Sequence, residues 1–156
     1  MDERSQLIAE LDQAHQATQA LLRDLETAHQ SNRELYPTWT IKELLAHLTG
    51  WDDACIASLQ ALASGTAPAT PALRGIDFYN KTTVLERQAL SLAQVIQEWE
   101  ATRVVFIRML RELPEEKARD IFVYPWGPEG SVAELVAIFV EHEQEHAQEI
   151  RSKVLG

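Results

Sequence analysis

Apolar side chains return every three or four positions over residues 3 to 30, at Leu7, Ile8, Leu11, Ala14, Leu21, Leu22 and Leu25, with Thr18 in the same row. Glu, Gln and Arg fill the other positions, so the spacing predicts a long amphipathic helix. A break is expected at Tyr36-Pro37. Thr40 followed by Glu43 then has the form of a capping box, with Trp39 before it as a staple residue, and predicts a helix to about Ser64. Its inward row is Ile41, Leu44, Leu48, Trp51, Cys55, Leu59 and Leu62. Residues 65 to 75 carry two prolines and two glycines and read as a crossover loop, and 77 to 89 as a short extra helix. Ser91 with Gln94 opens a third major helix through Leu113, whose apolar face holds Val95, Ile96, Trp99, Val105, Phe106, Met109 and Leu110. Residues 114 to 130 form an aromatic loop, and Ser131 with Glu134 caps a last helix reaching about Val154.

No stretch alternates as a strand does. Four long amphipathic helices without a sheet imply an all-α four-helix bundle with a crossover loop and a short extra helix. No segment could bury its stripe alone, so residues 1–156 are expected to form a single domain.

Composition narrows the partners. With 14 Lys and Arg against 24 Asp and Glu, the formal charge is −10, which argues against nucleic acid and anionic membrane surfaces and favours a small neutral or cationic molecule. No run approaches the roughly 18 apolar residues of a membrane span, and no basic-then-apolar leader opens the chain. One cysteine, Cys55, precludes an internal disulfide and suits a reducing, cytoplasmic setting as a buried thiol.

The candidate chemistry lies in the last helix. Leu135, Phe139, His142, His146 and Ile150 share one row, so two imidazoles one turn apart continue the inward stripe, close enough to hold one metal ion. In a bundle, metal sites are built from inward side chains on facing helices, which makes His47 of the second helix the natural third ligand. Three neutral imidazoles leave coordination positions open for water or substrate, and zinc, nickel and ferrous iron all accept them. His15 is the reserve ligand, and it and His29 otherwise read as core or rim histidines. Gly50, within a turn of His47, would permit close approach of another helix or of a ligand. Trp51, Tyr124 and Trp126 are expected to wall the substrate space. His142-Glu-Gln-Glu-His146 also satisfies H-E-x-x-H and its inverse, but too few residues follow it to supply a downstream ligand helix, and no edge strand is expected to bind a peptide. Glu143 and Glu145 are read as solvent-side carboxylates by default, with orientation of a histidine or base catalysis as the functional alternative.

His47 within Trp39-Thr-Ile-Lys-Glu-Leu-Leu-Ala-His-Leu-Thr-Gly-Trp51, followed by His142-x-x-x-His146, resembles the DinB-like superfamily of metal-binding four-helix bundles over nearly the whole chain. Tyr124-Pro-Trp-Gly-Pro-Glu-Gly-Ser-Val-Ala-Glu-Leu135 and Asp77-Phe-Tyr-Asn80 are similar to its ClbS-type branch, whose founding member protects against a genotoxin. The resemblance implies a divalent metal at the three histidines and a bundle that pairs as a homodimer in some relatives. It also implies functions that range from thiol-dependent transferases and isomerases, which use a low-molecular-weight thiol, to hydrolases, alongside many relatives with no assigned activity. A ClbS-like protein that uses the same cavity to bind or sequester a small molecule without turnover is one alternative. A structural bundle with core histidines is the remaining alternative.

Overall fold

The computed structural model describes residues 2–31, 34–35 and 39–155, with side chains through Lys153. The break expected at Tyr36-Pro37 lies outside the described residues. Four long helices carry the fold: α1 (Glu3–Thr27), α2 (Ile41–Ser64), α4 (Leu92–Glu112) and α6 (Val132–Ile150). Between them come α3 (Ile76–Glu86), the single turn α5 (Glu115–Ala118) and two short strands, β1 (Ile121–Val123) and β2 (Glu129–Ser131), and a π-helical turn, Arg151–Leu155, ends the description.

The helix starts follow their capping chemistry. Thr40 and Glu43 form the capping box of α2, with the Thr40 N–H donating to the Glu43 carboxylate at 3.0 Å. Ser91 and Gln94 do the same for α4, at 2.8 and 3.2 Å. At α6 the Ser131 hydroxyl accepts the Glu134 N–H at 3.1 Å, but the return arm expected from the Glu134 carboxylate is not formed among the described residues. Ser131 is also the last residue of β2, opposite Ile121, and so belongs to a strand pairing as well as to a helix start. α1 stops short of the expected residue 30, because His29 takes a φ of 57° and Gln30 N–H turns back onto the Leu25 carbonyl at 2.8 Å.

α2 packs chiefly on α4 and α1 on α6, and α1 against α4 joins the two pairs. α2 and α4 are therefore direct neighbours, and they run parallel: Lys42 at the start of α2 bonds the Gln88 carbonyl just before α4, so the loop and α3 between them make the expected crossover back along the bundle. α3 lies against α2. A Cβ on Gly50 would sit 1.9 Å from Thr83 Oγ1, so this glycine is what lets α3 approach α2, as its position near His47 suggested.

The expectation of no strands is corrected by the β1–β2 hairpin, which is antiparallel with Phe122 opposite Gly130. Three-residue strands are too short to display the alternation by which a strand is read from sequence. Tyr124 N–H bonds the Pro128 carbonyl at 2.8 Å, and Gly127 closes the turn with a φ of 113°. The Ala72 N–H bonds the Pro125 carbonyl at 3.0 Å, which ties the turn to the loop after α2 and presents Trp126 to the bundle.

The apolar core has two parts. One contains Ile8, Leu11, Leu59, Phe106, Leu110 and Phe139, and the other Leu21, Leu25, Leu44, Val95, Trp99 and Ile150. Buried polar residues occupy the intervening level on every long helix: His15 and Thr18 on α1, Asp52 on α2, Arg103 on α4 and Glu143 on α6. Arg103 grips both Asp52 oxygens, Nε to Oδ2 at 2.8 Å and Nη2 to Oδ1 at 3.3 Å, and its Nη1 lies 2.6 Å from Glu143 Oε2. Burial raises the pKa of both carboxylates against the pull of Arg103. Burial alone would depress the guanidinium, but Asp52 and Glu143 together hold it above its ordinary value.

Candidate metal centre

His47 sits in the second turn of α2 between Leu44 and Leu48 and is 6% exposed. His142 and His146 leave α6 one turn apart, with ring centroids 4.5 Å apart at 71°. Trp39 stands beside His47 with ring centroids 5.2 Å apart. The three histidines face one another across the bundle. His142 Nε2 is 3.2 Å from His47 Nε2 and 2.9 Å from His146 Nε2.

The hydrogen bonds behind His47 fix which nitrogen faces its partners. Trp51 Nε1 can only donate, and it does so to Asn80 Oδ1 at 2.7 Å. The same oxygen lies 2.9 Å from His47 Nδ1, so that nitrogen carries the proton and Nε2 presents its lone pair. At His146 the outer Nδ1 is 3.9 Å from the Glu149 carboxylate, which favours the same tautomer.

Burial, then the neighbouring His142 and His146, push the His47 pKa down to about 3 against the Asn80 hydrogen bond, and burial with His142 lowers His146 to about 4. Burial also lowers His142, opposed by Glu145 and Asp52. All three rings are therefore neutral near pH 7.

This donor set fits a divalent transition metal. A ring nitrogen from each histidine lies within 4.8 Å of the others. A neutral His142 has one lone pair or one N–H at Nε2, so it cannot be a hydrogen-bond partner to both flanking lone pairs, whereas a shared cation satisfies all three. The 2.9 and 3.2 Å separations suit nitrogens each about 2.1 Å from one ion.

A cavity of about 230 Å³ opens beside the cluster, lined by His47, Trp51, Ile76, Asn80, Trp126, Ile138, Phe139 and His142. Trp51 meets Trp126 edge to face at 5.9 Å. Two of the three expected walls thus stand in the cavity and one does not. Tyr124 lies behind Trp126, buried, with its hydroxyl donating to the Ser131 carbonyl at 2.7 Å, and the bare Cα of Gly130 makes room for its ring. Its hydroxyl needs a partner once buried, and the hairpin backbone supplies one, so it braces the hairpin instead of lining the cavity.

His15 is not brought to the cluster. It packs on Trp99 with ring centroids 4.0 Å apart, and its Nδ1 is 3.9 Å from Glu143. Cys55 is fully buried with a raised pKa, chiefly from burial, and is an inert core thiol.

The expectation for Glu143 is also corrected. It is 1% exposed and marks the centre of the α6 stripe, between Phe139 and Ala147, while His142 and His146 stand on the stripe's edge. Its carboxylate is held by Arg103, so it does not act as the base of an H-E-x-x-H protease. Asp52, Arg103 and Glu143 are not legible as a set in the sequence, because each comes from a different helix. Their shared signal was a charge at helical spacing inside an apolar row, as in Trp99-Arg103-Phe106. The partners of Asn80, His47 and Trp51, come from another helix, so no local pattern discloses its role.

Residues 10–150 match the sequence model of the DinB superfamily. No curated protein sequence matches the chain. Two solved structures share the fold: the mycothiol-dependent maleylpyruvate isomerase, at 17% identity and a TM-score of 0.68, and a histidine-to-alanine variant of it, at 15% and 0.70. In each comparison the match covers 96% of this chain and 63% of that chain, so this protein spans less than two thirds of the isomerase's length. By its matched length and its helical bundle, the chain belongs to the DinB superfamily.

Proposed function

We propose that residues 1–156 form one DinB-like domain that binds a divalent transition metal through His47, His142 and His146 and acts on a small molecule seated against Trp51 and Trp126. The observation that carries this reading is the convergence of three neutral imidazole nitrogens beside an apolar cavity. When bound, such an ion lowers the pKa of a coordinated thiol or water and polarises a substrate carbonyl.

The chain's own residues bind, orient and exclude water. Asn80 and Trp51 hold His47 in its tautomer, and Trp126 and Phe139 keep the cavity apolar. Apart from the two histidines, no described lining residue has a titratable side chain, so acid–base work is not assigned to a wall side chain. Tyr79 beside Trp51 does not serve either, since burial first and Asp53 next push its pKa up to about 12.

The reaction class we favour is a thiol-dependent transfer or isomerisation, or a hydrolysis, in a detoxifying or self-protecting role. The structural neighbours are named as mycothiol-dependent, which supports a low-molecular-weight thiol as co-substrate. The lack of a titratable wall residue favours a second reading, in which the cavity binds or sequesters its molecule without turnover, as the ClbS-type likeness suggests. A cytoplasmic protein, active as a homodimer, is consistent with either, and no described helix is long and apolar enough to cross a membrane.

The test is elemental analysis of untagged wild type, His47→Ala and His146→Ala. About one transition metal per chain in the wild type, lost in both variants, is the expected result, and thiol-transfer and hydrolysis assays with that metal then separate enzyme from binder. Wild type that takes up no zinc, nickel or iron would return the histidines to a structural role.

A further inference from the structure

We propose that the histidine cavity selects an uncharged, apolar thiol or thiol conjugate, a ligand with one metal-binding sulfur and a flat hydrocarbon body, and rejects ligands bearing a second negative charge. This rests on the metal-binding reading above and adds the substrate class. Five of the eight lining residues, Trp51, Ile76, Trp126, Ile138 and Phe139, are hydrocarbon or indole surface, and the polar remainder is His47, His142 and Asn80. Among the described residues no lysine or arginine lines the space. A carboxylate or sulfonate drawn into it would lose its water and find no cation besides the metal.

The entrance is of the same character. Ile76 is 51% and Ile138 43% exposed, and Leu73, 64% exposed, reaches the Trp126-Gly127 turn, where a Cβ on Gly127 would meet its Cδ1 at 3.1 Å. Apolar surface thus continues from the cavity to its rim, as expected where a hydrophobic body lies partly outside. Glu141 and Glu145 are exposed on α6 around His142, in a chain of net charge −10. Edge-to-face Trp51 and Trp126 provide aromatic surface suited to a ring.

The experiment uses cobalt(II)-loaded protein, whose visible absorption reports metal uptake and whose thiolate-to-cobalt charge-transfer band reports sulfur binding. Benzyl mercaptan is compared with 2-mercaptoethanesulfonate in wild type and in Ile138→Lys, a change at a half-exposed rim position that leaves the ligands and core in place. The expected result is a preference of about tenfold or more for benzyl mercaptan in the wild type, lost or reversed in Ile138→Lys. Equal or tighter binding of the sulfonate by the wild type overturns the proposal, as does cobalt-loaded protein that binds neither thiol, although the metal site then stands. Absence of a cobalt spectrum overturns the metal reading itself and this proposal with it.

Discussion

The Nδ1–H of His47 points at Asn80 Oδ1 across 2.9 Å, so a residue of α3 sets the tautomer of a residue of α2. The lone pair at Nε2 is thereby committed before any metal arrives. Asn80→Leu removes the acceptor and should weaken zinc binding about 10- to 100-fold, read by competition with a chelating dye. Asn80→Asp keeps an acceptor and should stay close to wild type. Equal losses in both would mean that side-chain shape, and not the hydrogen bond, matters there.

Arg103 joins Asp52 and Glu143 with side chains that are at most 3% exposed. Arg103→Met leaves two buried carboxylates without their cation and should cost about 3–5 kcal/mol in urea unfolding. Arg87 bonds Asp53 at 2.7 Å, but Asp53 is half exposed, so Asp53→Asn should cost no more than about 1 kcal/mol. A small loss in Arg103→Met would show that the bundle relaxes to hydrate the two acids.

Gly50→Ala drives a methyl group into Thr83 and must displace α3, at a cost of about 1–3 kcal/mol. Thr83→Ala should not rescue it, because the Thr83 Cβ itself lies only 2.5 Å from the added carbon. Since α3 carries Asn80, the same variant should lose metal affinity as well as melting temperature.

His15 lies outside the histidine cluster, so it isolates the effect of pH. Burial, with Arg103 adding, lowers its pKa from 6.5 to about 3. Between those values the unfolded chain binds a proton that the folded chain refuses, so stability falls as pH drops below about 6.5, by up to about 1.4 kcal/mol per pH unit for each such group. Above 6.5 neither state is protonated and the contribution is flat. His47 and His146 act in the same direction in metal-free protein. Urea midpoints between pH 7.5 and 5, in chelator, should fall with a slope that His15→Gln reduces by one proton, and an unchanged slope would place the titration elsewhere.

Local pattern carried the long helices. Three- and four-residue apolar spacing placed α1, α2, α4 and α6, and the Thr40-Glu43 and Ser91-Gln94 pairs placed two of their starts, because capping and amphipathicity act within a turn of the chain. The same periodicity put His142 beside His146 and set His47 next to the inward row of α2, since one turn of helix fixes their spacing without help from the rest of the fold.

Other features depended on which helix stands opposite. Glu143 was read as facing water because a lone charge in an apolar row is unfavourable, and only Arg103, forty residues earlier in the chain, makes its burial tolerable. Tyr124 and Trp126 are two residues apart in one aromatic loop, yet the hairpin sends one hydroxyl to Ser131 and one indole to the histidine cavity. The sequence by itself determined the helices, the faces they bury and the candidate ligands, because those follow from interactions within a few residues. Only the tertiary structure decided that three imidazole nitrogens meet, that Asn80 orients one of them and that a buried charge layer lies beside them, because each needs groups from separate helices to satisfy one another away from water.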